Sequence, residues 1–336
     1  MKISIFRRLH TPGLIGHLTQ KSNNMLKKTV LTTTILAAIG ISGAALAGTG
    51  WHLQNGILTP NPVPVHTAHV NPILSANSEI GIGFLETQSN YSENIVSANS
   101  GSDVENGMMP GFTLFGKDTF DAVGVQNWYG SINYNRTSGQ TTYSEGSVNG
   151  PIAESAQHTT NNLQAKFGKT FFLNADNAAT PYIFGGYRSW HRVVPGGVSS
   201  PENYHNGYIG LGAKYQVVVT QHLVLSANGG LGEVISGGMS GLMPPVFTSR
   251  FNMPSTMTFS LAPRPYYTIG TSADYRVIRH LHLLATAQYT DFMYGGSRWK
   301  YYAGSQPTTR GYLIGFQEPS SQTSNLSVYL AMAVQF

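Results

Sequence analysis

Strict alternation of side-chain character along the end of the chain constrains the fold more than any other feature of the sequence. One face of residues 326–336 carries only large apolar side chains: Leu326, Val328, Leu330, Met332, Val334 and Phe336. The other face carries mostly small or polar ones: Ser327, Tyr329, Ala331, Ala333 and Gln335. Because successive side chains of a strand point to opposite sides, this period of two predicts a β-strand with two unlike faces.

Five further segments repeat the alternation, at 162–173, 206–218, 222–232, 266–277 and 281–290. With shorter pieces they predict ten strands, near 79–88, 108–117, 125–137, 158–173, 180–192, 205–218, 222–236, 262–277, 280–294 and 324–336. The predicted connections alternate between short turns, at 118–124, 174–179, 219–221 and 278–279, and longer loops. This alternation of turns and loops is typical of a transmembrane β-barrel with an even number of strands.

Twelve strands are the alternative, because Ser255–Leu261 and Gly311–Phe316 are also strand-like. Including both would move the tight turns at 219–221 and 278–279 to opposite sides of the barrel. We therefore prefer ten strands, with these two pieces as extensions above the membrane.

The positive charge of the chain is concentrated at its start. The formal net charge is +5, yet residues 1–48 hold six of the twenty Lys and Arg residues and none of the fifteen Asp and Glu residues. The remainder has fourteen basic residues against fifteen acidic ones, a net charge of −1. A basic protein suggests nucleic acid as a partner, but here the charge belongs to the leader, so we expect no nucleic-acid binding.

The leader, residues 1–47, has the pattern of a secretory signal peptide. Met25–Lys28 is basic, residues 29–41 are apolar, and Ala45–Ala47 matches a small-x-small cleavage site. Residues 1–24 then form an upstream extension, with Met25 the preferred start. An uncleaved anchor is the alternative interpretation.

The chain has no Cys, which excludes disulfides, cysteine-ligated zinc and a thiol nucleophile. Residues 48–77 contain Pro60, Pro62, Pro64 and Pro72 and predict an extended periplasmic linker. His66 and His69 lie in this Pro-rich segment, where a His pair is usually solvated, so we predict no metal site. Residues 78–336 then form the barrel domain.

Scarcity of charge downstream of the leader favours a surface that faces lipid. Only 10% of the residues are charged, against ~25% in a typical globular domain. We therefore predict an all-β, transmembrane, antiparallel up-and-down barrel with its apolar faces toward lipid and its polar faces toward the lumen. Five charged residues fall on the predicted lumen face: Lys166, Arg188, Lys214, Asp274 and Arg276.

Aromatic residues near the predicted strand ends indicate interfacial girdles, in which a ring has an apolar body in lipid and a polar edge in water. The candidates are Trp128, Tyr129, Tyr134, Tyr187, Trp190, Tyr208, Tyr215, Tyr266, Tyr267, Tyr275, Tyr289 and Tyr294.

The signal peptide, the absence of Cys, the alternating strands and the C-terminal Phe336 resemble the bacterial outer-membrane β-barrel superfamily. Within it the chain is similar to the opacity-protein/OmpA-like surface antigens, although it is longer than their eight-strand members. The resemblance covers about residues 78–336 and implies a place in the bacterial outer membrane. It also implies that the last strand is a signal for the barrel-assembly machinery, with matching residues Val328, Leu330, Met332, Val334 and Phe336.

These features predict a monomeric, surface-exposed structural or adhesin-like protein. The alternative is a narrow diffusion porin, because four of the five predicted lumen charges are basic and ten strands enclose little space. A third candidate is a hydrolase at the extracellular rim, which needs carboxylates and a His that converge. The residues considered are His191, His205, Asp291, Glu154 and Glu202, and no motif brings them together, so we predict no enzyme, no catalytic residue and no cofactor.

The last long loop mixes basic and aromatic residues: Arg298, Trp299, Lys300, Tyr301, Tyr302 and Arg310. Cationic side chains bind phosphates in charge-assisted hydrogen bonds. This loop is therefore a candidate contact surface for the phosphates of lipopolysaccharide or for an extracellular ligand. The alternative interpretation is that its basic and aromatic residues are solvated and flank the aromatic girdle. The other partners expected of such a barrel are outer-membrane lipid and the barrel-assembly machinery.

Overall fold

The computed structural model describes residues 2–7, 51–54, 57–60, 71–93, 103–147, 150–194 and 201–336. The predicted signal segment 25–47, His66 and His69 lie outside the described residues. The chain divides into two compact units, one of Met1–Leu9 with Asn71–Phe336 and the other of His10–Val70. In the second unit, Trp51–Gln54 and Ile57–Pro60 pair as an antiparallel hairpin. No helix among the described residues has the length and apolar character needed to cross a membrane.

Ten antiparallel strands form a closed ring in the first unit. They are β1 Glu79–Glu93, β2 Val104–Ala122, β3 Val125–Ser147, β4 Gly150–Lys169, β5 Asn177–Val193, β6 Glu202–Thr220, β7 Leu223–Leu242, β8 Arg264–Ile278, β9 Leu281–Tyr294 and β10 Ser321–Gln335. Each strand pairs with the next along the chain, and β10 pairs with β1. The prediction of an antiparallel ten-strand barrel is confirmed.

The two remaining strand-like pieces lie beyond this ring. Thr256–Leu261 pairs with the far end of β7, between Gly237 and Leu242. Tyr312–Gln317 pairs with Lys300–Ala303 on one side and with Lys2–Arg7 on the other. These pieces extend the barrel at one end, so the alternative of twelve strands in the ring is wrong.

The apolar face of the strands is exposed on the outside of the ring. In β10 and at the C-terminus, Val328, Leu330, Met332, Val334 and Phe336 are exposed, Leu330 at 65%, whereas Ala331 and Ala333 are buried. The other strands expose apolar side chains in the same way: Ile82, Phe84, Leu114, Ile183, Leu211, Leu231, Ile269 and Leu283. An exposed apolar band around a closed barrel is the surface of a protein that spans a membrane. The role of the last strand in assembly stays a prediction.

Short turns join the strands at one end of the barrel, where β1 also begins and β10 ends. We take this end as periplasmic, since outer-membrane barrels place short turns there. The β2–β3 connection is a two-residue turn, in which Val123 and Gly124 have φ values of 53° and 71°. Positive φ at both central residues matches the right-handed twist of a hairpin, and glycine adopts it without strain.

At the opposite, extracellular end the strands extend far beyond the membrane. β3 has 23 residues, whereas ~9–11 suffice to cross a bilayer. Among the described residues, two short helices accompany the barrel. Helix α1, Pro72–Ser75, precedes β1, and helix α2, Pro245–Phe251, lies in the extracellular connection from β7 to β8.

Charge on the outer face should reduce stability according to its depth. Leu330→Arg places a guanidinium near the middle of the apolar band and should lower the free energy of unfolding by about 2–4 kcal/mol. Ser324→Arg, on the same face near the extracellular end, should cost about 0–1 kcal/mol. Urea unfolding of the refolded protein in lipid vesicles measures both. Equal losses would show that this face of β10 does not lie in hydrocarbon.

Candidate functional site

The lumen holds most of the charges predicted for it. Lys166 lies inside, 5.1 Å from the ring centroid of Tyr182, and Arg188 and Asp274 are buried. Lys214 donates a hydrogen bond of 2.9 Å to Asn77 Oδ1. Arg276 lies apart from them at the periplasmic end, where its Nη2 donates to the backbone oxygen of Gln221 at 2.8 Å.

Near the periplasmic end four ionisable side chains form what we call the lower cluster: Glu79, Lys117, Asp274 and His282. The Lys117 ammonium lies 2.9 Å from Glu79 Oε1 and 3.4 Å from Asp274 Oδ2. His282 Nδ1 lies 2.6 Å from Asp274 Oδ1. Of the four, only Asp274 was among the predicted lumen charges. The period of two could have placed the others on the inner face, but it does not show that they meet.

Three members of the lower cluster have the spacing of metal ligands. Glu79, Asp274 and His282 each offer one atom, and these atoms lie within 4.8 Å of one another. However, the Lys117 ammonium already contacts both carboxylates and supplies the positive charge that a cation would bring. The geometry therefore favours an ion-paired cluster that fills the lumen.

Residues 71–78 enter the lumen at the same end and occupy its periplasmic mouth. Ile73 on helix α1 is completely buried and packs with Ala178 and Val224. Ser75 Oγ donates to Gln335 Oε1 at 2.7 Å. Asn77 Nδ2 donates to Gln216 Oε1 at 2.9 Å. In the first unit the continuous stretch that contains the barrel starts at Asn71, whereas the predicted barrel domain starts at residue 78.

The middle of the lumen is filled by aromatic rings. The rings of Tyr208 and Tyr266 stack with centroids 4.6 Å apart, and Phe184 lies 5.7 Å from Tyr266. Glycines on the facing strands make room for them. A Cβ at Gly230 would lie 2.7 Å from Phe184 Cε1, and one at Gly210 would overlap the same ring. Bare backbone opposite large rings is how this small barrel accommodates them.

The predicted aromatic girdle is consequently only partly correct. Its members on the outer face are Trp128, Tyr134, Tyr187, Tyr215, Tyr267, Tyr275 and Tyr289. The others are buried inside the lumen: Tyr129, Trp190, Tyr208, Tyr266 and Tyr294. Ring position near a strand end does not tell which side of the wall the ring faces, since adjacent residues such as Tyr266 and Tyr267 point opposite ways.

At the extracellular end a second set of ionisable side chains, the upper cluster, surrounds Arg192. Its Nη1 lies 2.7 Å from Glu202 Oε2 and 3.8 Å from Glu93 Oε1, and its Nη2 contacts Glu105. His158 Nε2 lies 2.7 Å from Glu105 Oε2. All of these side chains are buried, so the cluster fills the lumen where strands β1, β2, β4, β5 and β6 meet.

The upper cluster lies above the lipid-facing band, because the outer face at its level is polar: His191 Nδ1 and Asn203 Oδ1 lie 2.8 Å apart there. Burial raises the pKa of Glu105, but His158 and Arg192 outweigh burial and hold this pKa below its ordinary value of 4.5. Burial lowers the pKa of Arg192, but Glu202 and Glu105 raise it well above its ordinary value. Glu105 and Arg192 are therefore both ionised at neutral pH.

The rim residues considered for catalysis lie on different sides of the barrel wall. His191, His205 and Asp291 are on the outer face, where Asp291 Oδ2 accepts from Gln322 Nε2 at 2.9 Å. Glu202 is inside, paired with Arg192, and Glu154 lies on the projecting part of β4. The structure does not bring these five side chains together.

Above the ring, helix α2 and the last long loop are joined. The backbone oxygen of Arg250 accepts from Ser305 N at 2.9 Å and from Thr309 Oγ1 at 3.0 Å. Tyr302, from the predicted contact surface, packs on Phe316 with ring centroids 6.3 Å apart. These contacts hold the loop against the extracellular end of the barrel.

The other members of the predicted contact surface differ in exposure. Arg298, Tyr301 and Arg310 are exposed, whereas Trp299 and Lys300 are half-buried. The rings of Trp299 and Tyr301 stack at 6.0 Å, and Lys300 Nζ lies 5.5 Å from the ring centroid of Phe259. The loop therefore presents exposed guanidinium groups beside aromatic rings that pack on one another.

No protein-family model matches this chain, and the comparison with curated proteins found no match. Among solved structures it is similar to Ail, the attachment invasion locus protein of Yersinia pestis, at 10% identity and a TM-score of 0.27, over 77% of this chain and 99% of that one. It is similar to the outer membrane protein OprG from Pseudomonas aeruginosa at 8% identity and a TM-score of 0.27, over 77% of this chain and 98% of OprG. For the translocator domain of the autotransporter NalP from Neisseria meningitidis the identity is 12%, the TM-score 0.35 and the coverage 77% and 89%.

The closed ring of ten strands and its exposed apolar band establish the class by themselves. The chain is a β-barrel of the outer-membrane type.

The stability of the folded barrel should depend on Arg192. Arg192→Met removes the guanidinium that offsets buried Glu105 and Glu202, and breaking a buried ion pair from one side costs about 3–5 kcal/mol. Arg136 is the control, because it is exposed and makes one hydrogen bond of 3.3 Å to Asn161. Arg136→Met should cost less than about 1 kcal/mol. Denaturant unfolding compares them, and similar losses would show that the upper cluster does not stabilise the barrel.

Proposed function

We propose that this chain is a surface-exposed structural or adhesin-like protein of the bacterial outer membrane, with a closed lumen. The observation that carries the proposal is that side chains fill the lumen at three levels. Residues 71–78 and the lower cluster occupy the periplasmic end, stacked aromatic rings occupy the middle, and the upper cluster occupies the extracellular end.

The filled lumen favours this function over a narrow diffusion porin. A barrel of about eight strands is filled by its own side chains, whereas about sixteen leave an aqueous channel, and ten strands are close to the filled case. Conduction here would require residues 71–78 to leave the mouth and Arg192 to separate from Glu202, 2.7 Å away. Parting a buried ion pair is costly because each charge then lacks a partner.

Planar-bilayer recording on the refolded full chain tests the closed lumen. We expect no defined conductance steps, since at each level charged or aromatic side chains occupy the path. The heat-modifiable shift of the folded barrel on gels is the control that the inserted protein is folded. Reproducible unitary steps from folded protein would contradict the proposal and favour the porin.

The extracellular part then carries the function. It consists of the projecting ends of β3 and β4, helix α2 and the last long loop. The backbone oxygen of Arg250 joins helix α2 to this loop. This surface has three exposed basic groups, Arg250, Arg298 and Arg310. The loop sequence 298–312 contains no Asp or Glu that could neutralise the last two. Guanidinium groups bind phosphate oxygens in bidentate geometry, which supports contact with the phosphates of lipopolysaccharide.

Replacing these arginines tests the contact surface. Combined Arg298→Ser and Arg310→Ser should weaken binding of purified lipopolysaccharide by about 2 kcal/mol, or roughly thirtyfold, at ~1 kcal/mol per basic group. Titration calorimetry on the detergent-solubilised barrel measures the affinity.

Arg276→Ser is the matched control, because Arg276 lies at the periplasmic end, bonded to the Gln221 carbonyl. It should leave the affinity unchanged. An equal loss in the control, or no loss in the double variant, would contradict this surface as the site.

A further inference from the structure

A small polar cavity remains in the lumen beside the aromatic rings. Its volume is about 70 Å³, and residues of nearly every strand line it. Amide and hydroxyl groups dominate the lining, among them Asn135, Thr160, Asn162 and Asn206, and the one charged side chain in it is Arg188. On β5, Arg188 lies between Phe184 of the aromatic layer and Arg192 of the upper cluster.

Arg188 is buried without a counter-charge. It is 8% exposed, and its guanidinium carbon lies 4.2 Å from the ring centroid of Phe292. Its Nε has no hydrogen-bond partner. No carboxylate of the described residues forms an ion pair with it, whereas Lys117 and Arg192 each contact at least two.

A bound anion would stabilise a buried arginine in this position. Its guanidinium stays protonated at any physiological pH, and the desolvation of an unpaired buried ion costs several kcal/mol. A lysine could lose its proton to avoid that cost, but an arginine cannot. The face of Phe292 offsets a part of the cost through a cation–π contact, yet it leaves the Nε donor unsatisfied.

We infer that the central cavity is a binding site for a small monovalent anion, with Arg188 as its cationic ligand. Neutral donors line the same cavity. Thr160 Oγ1 has no hydrogen-bond partner. The Oδ1 atoms of Asn162 and Asn206 accept from the hydroxyls of Tyr208 and Tyr294, at 2.9 and 2.6 Å, so their amide N–H groups are the ones available to a ligand.

The size of the cavity selects the class of anion. A water molecule takes about 30 Å³ in the liquid, so about 70 Å³ has room for a chloride ion with one water, or for a nitrate or formate. Sugar phosphates and gluconate are far larger than this space. The site goes beyond the proposed surface function and does not depend on it, since a closed lumen can hold a trapped ion.

The test compares chloride, bromide and nitrate with gluconate at constant ionic strength, on the refolded full chain. We expect the unfolding midpoint to rise with the concentration of each small anion and to saturate, because these ions bind only the folded barrel. Arg188→Met should lose this dependence and should be at least as stable as the wild type in gluconate, because the unpaired charge is gone. Arg276→Met, at the periplasmic end, should behave as the wild type.

A second measurement does not require any variant to fold. Crystals grown in bromide should show an anomalous peak within hydrogen-bond distance of the Arg188 guanidinium. Absence of that peak, or an equal midpoint shift in Arg188→Met, would overturn the inference. A peak elsewhere in the lumen with none at Arg188 would also overturn it.

Discussion

The first and last strands pair from Ser321 opposite Glu93 to Gln335 opposite Glu79, and this pairing closes the sheet on itself. In hydrocarbon no water can bond to a backbone N–H or C=O group, so an open edge would leave a row of unsatisfied groups at several kcal/mol each. Closure removes that edge and allows an apolar row such as Leu326 to Val334 to face lipid. It also turns the opposite face of every strand into the wall of a narrow interior.

That interior is filled according to the rules that govern buried polar groups. Lys117 contacts Glu79 and Asp274, and Arg192 contacts Glu105 and Glu202, because charges out of water need partners of opposite sign. Between these clusters aromatic rings occupy the space that glycines leave free. Arg188 departs from the pattern, and its lack of a carboxylate partner among the described residues is the physical reason to place an anion beside it. Because the lumen is occupied at three levels, we propose the exposed basic loop as the contact surface for other molecules.

Particular residues show which features of the structure the sequence patterns predict and which they do not. The alternation from Leu326 to Phe336 correctly predicts both the last strand and the side that faces outward, since side-chain direction in a strand is a local property. The same rule cannot tell that residues 71–77, read as linker because of Pro72, dock in the lumen through Ile73, Ser75 and Asn77. Docking depends on partners such as Gln335, far away in the sequence. The girdle prediction failed for Tyr208 and Tyr266 for another reason, because a position near a strand end does not tell which side of the wall a ring faces.

By itself the sequence determined the class of the fold, the ten strands and, where the alternation is strict, the two faces of a strand, because a period of two and the placement of turn residues act within a few residues of one another. Only the tertiary structure decided which polar side chains meet. Lys117 and Asp274 are 157 residues apart in the chain, yet they form an ion pair. Arg188 and Arg192 lie on the same face of the same strand, but one has carboxylate partners and the other has none. The contacts of Lys117 with Asp274 and of Arg192 with Glu105 arise across the lumen between strands that are not neighbours, and ring closure sets those distances.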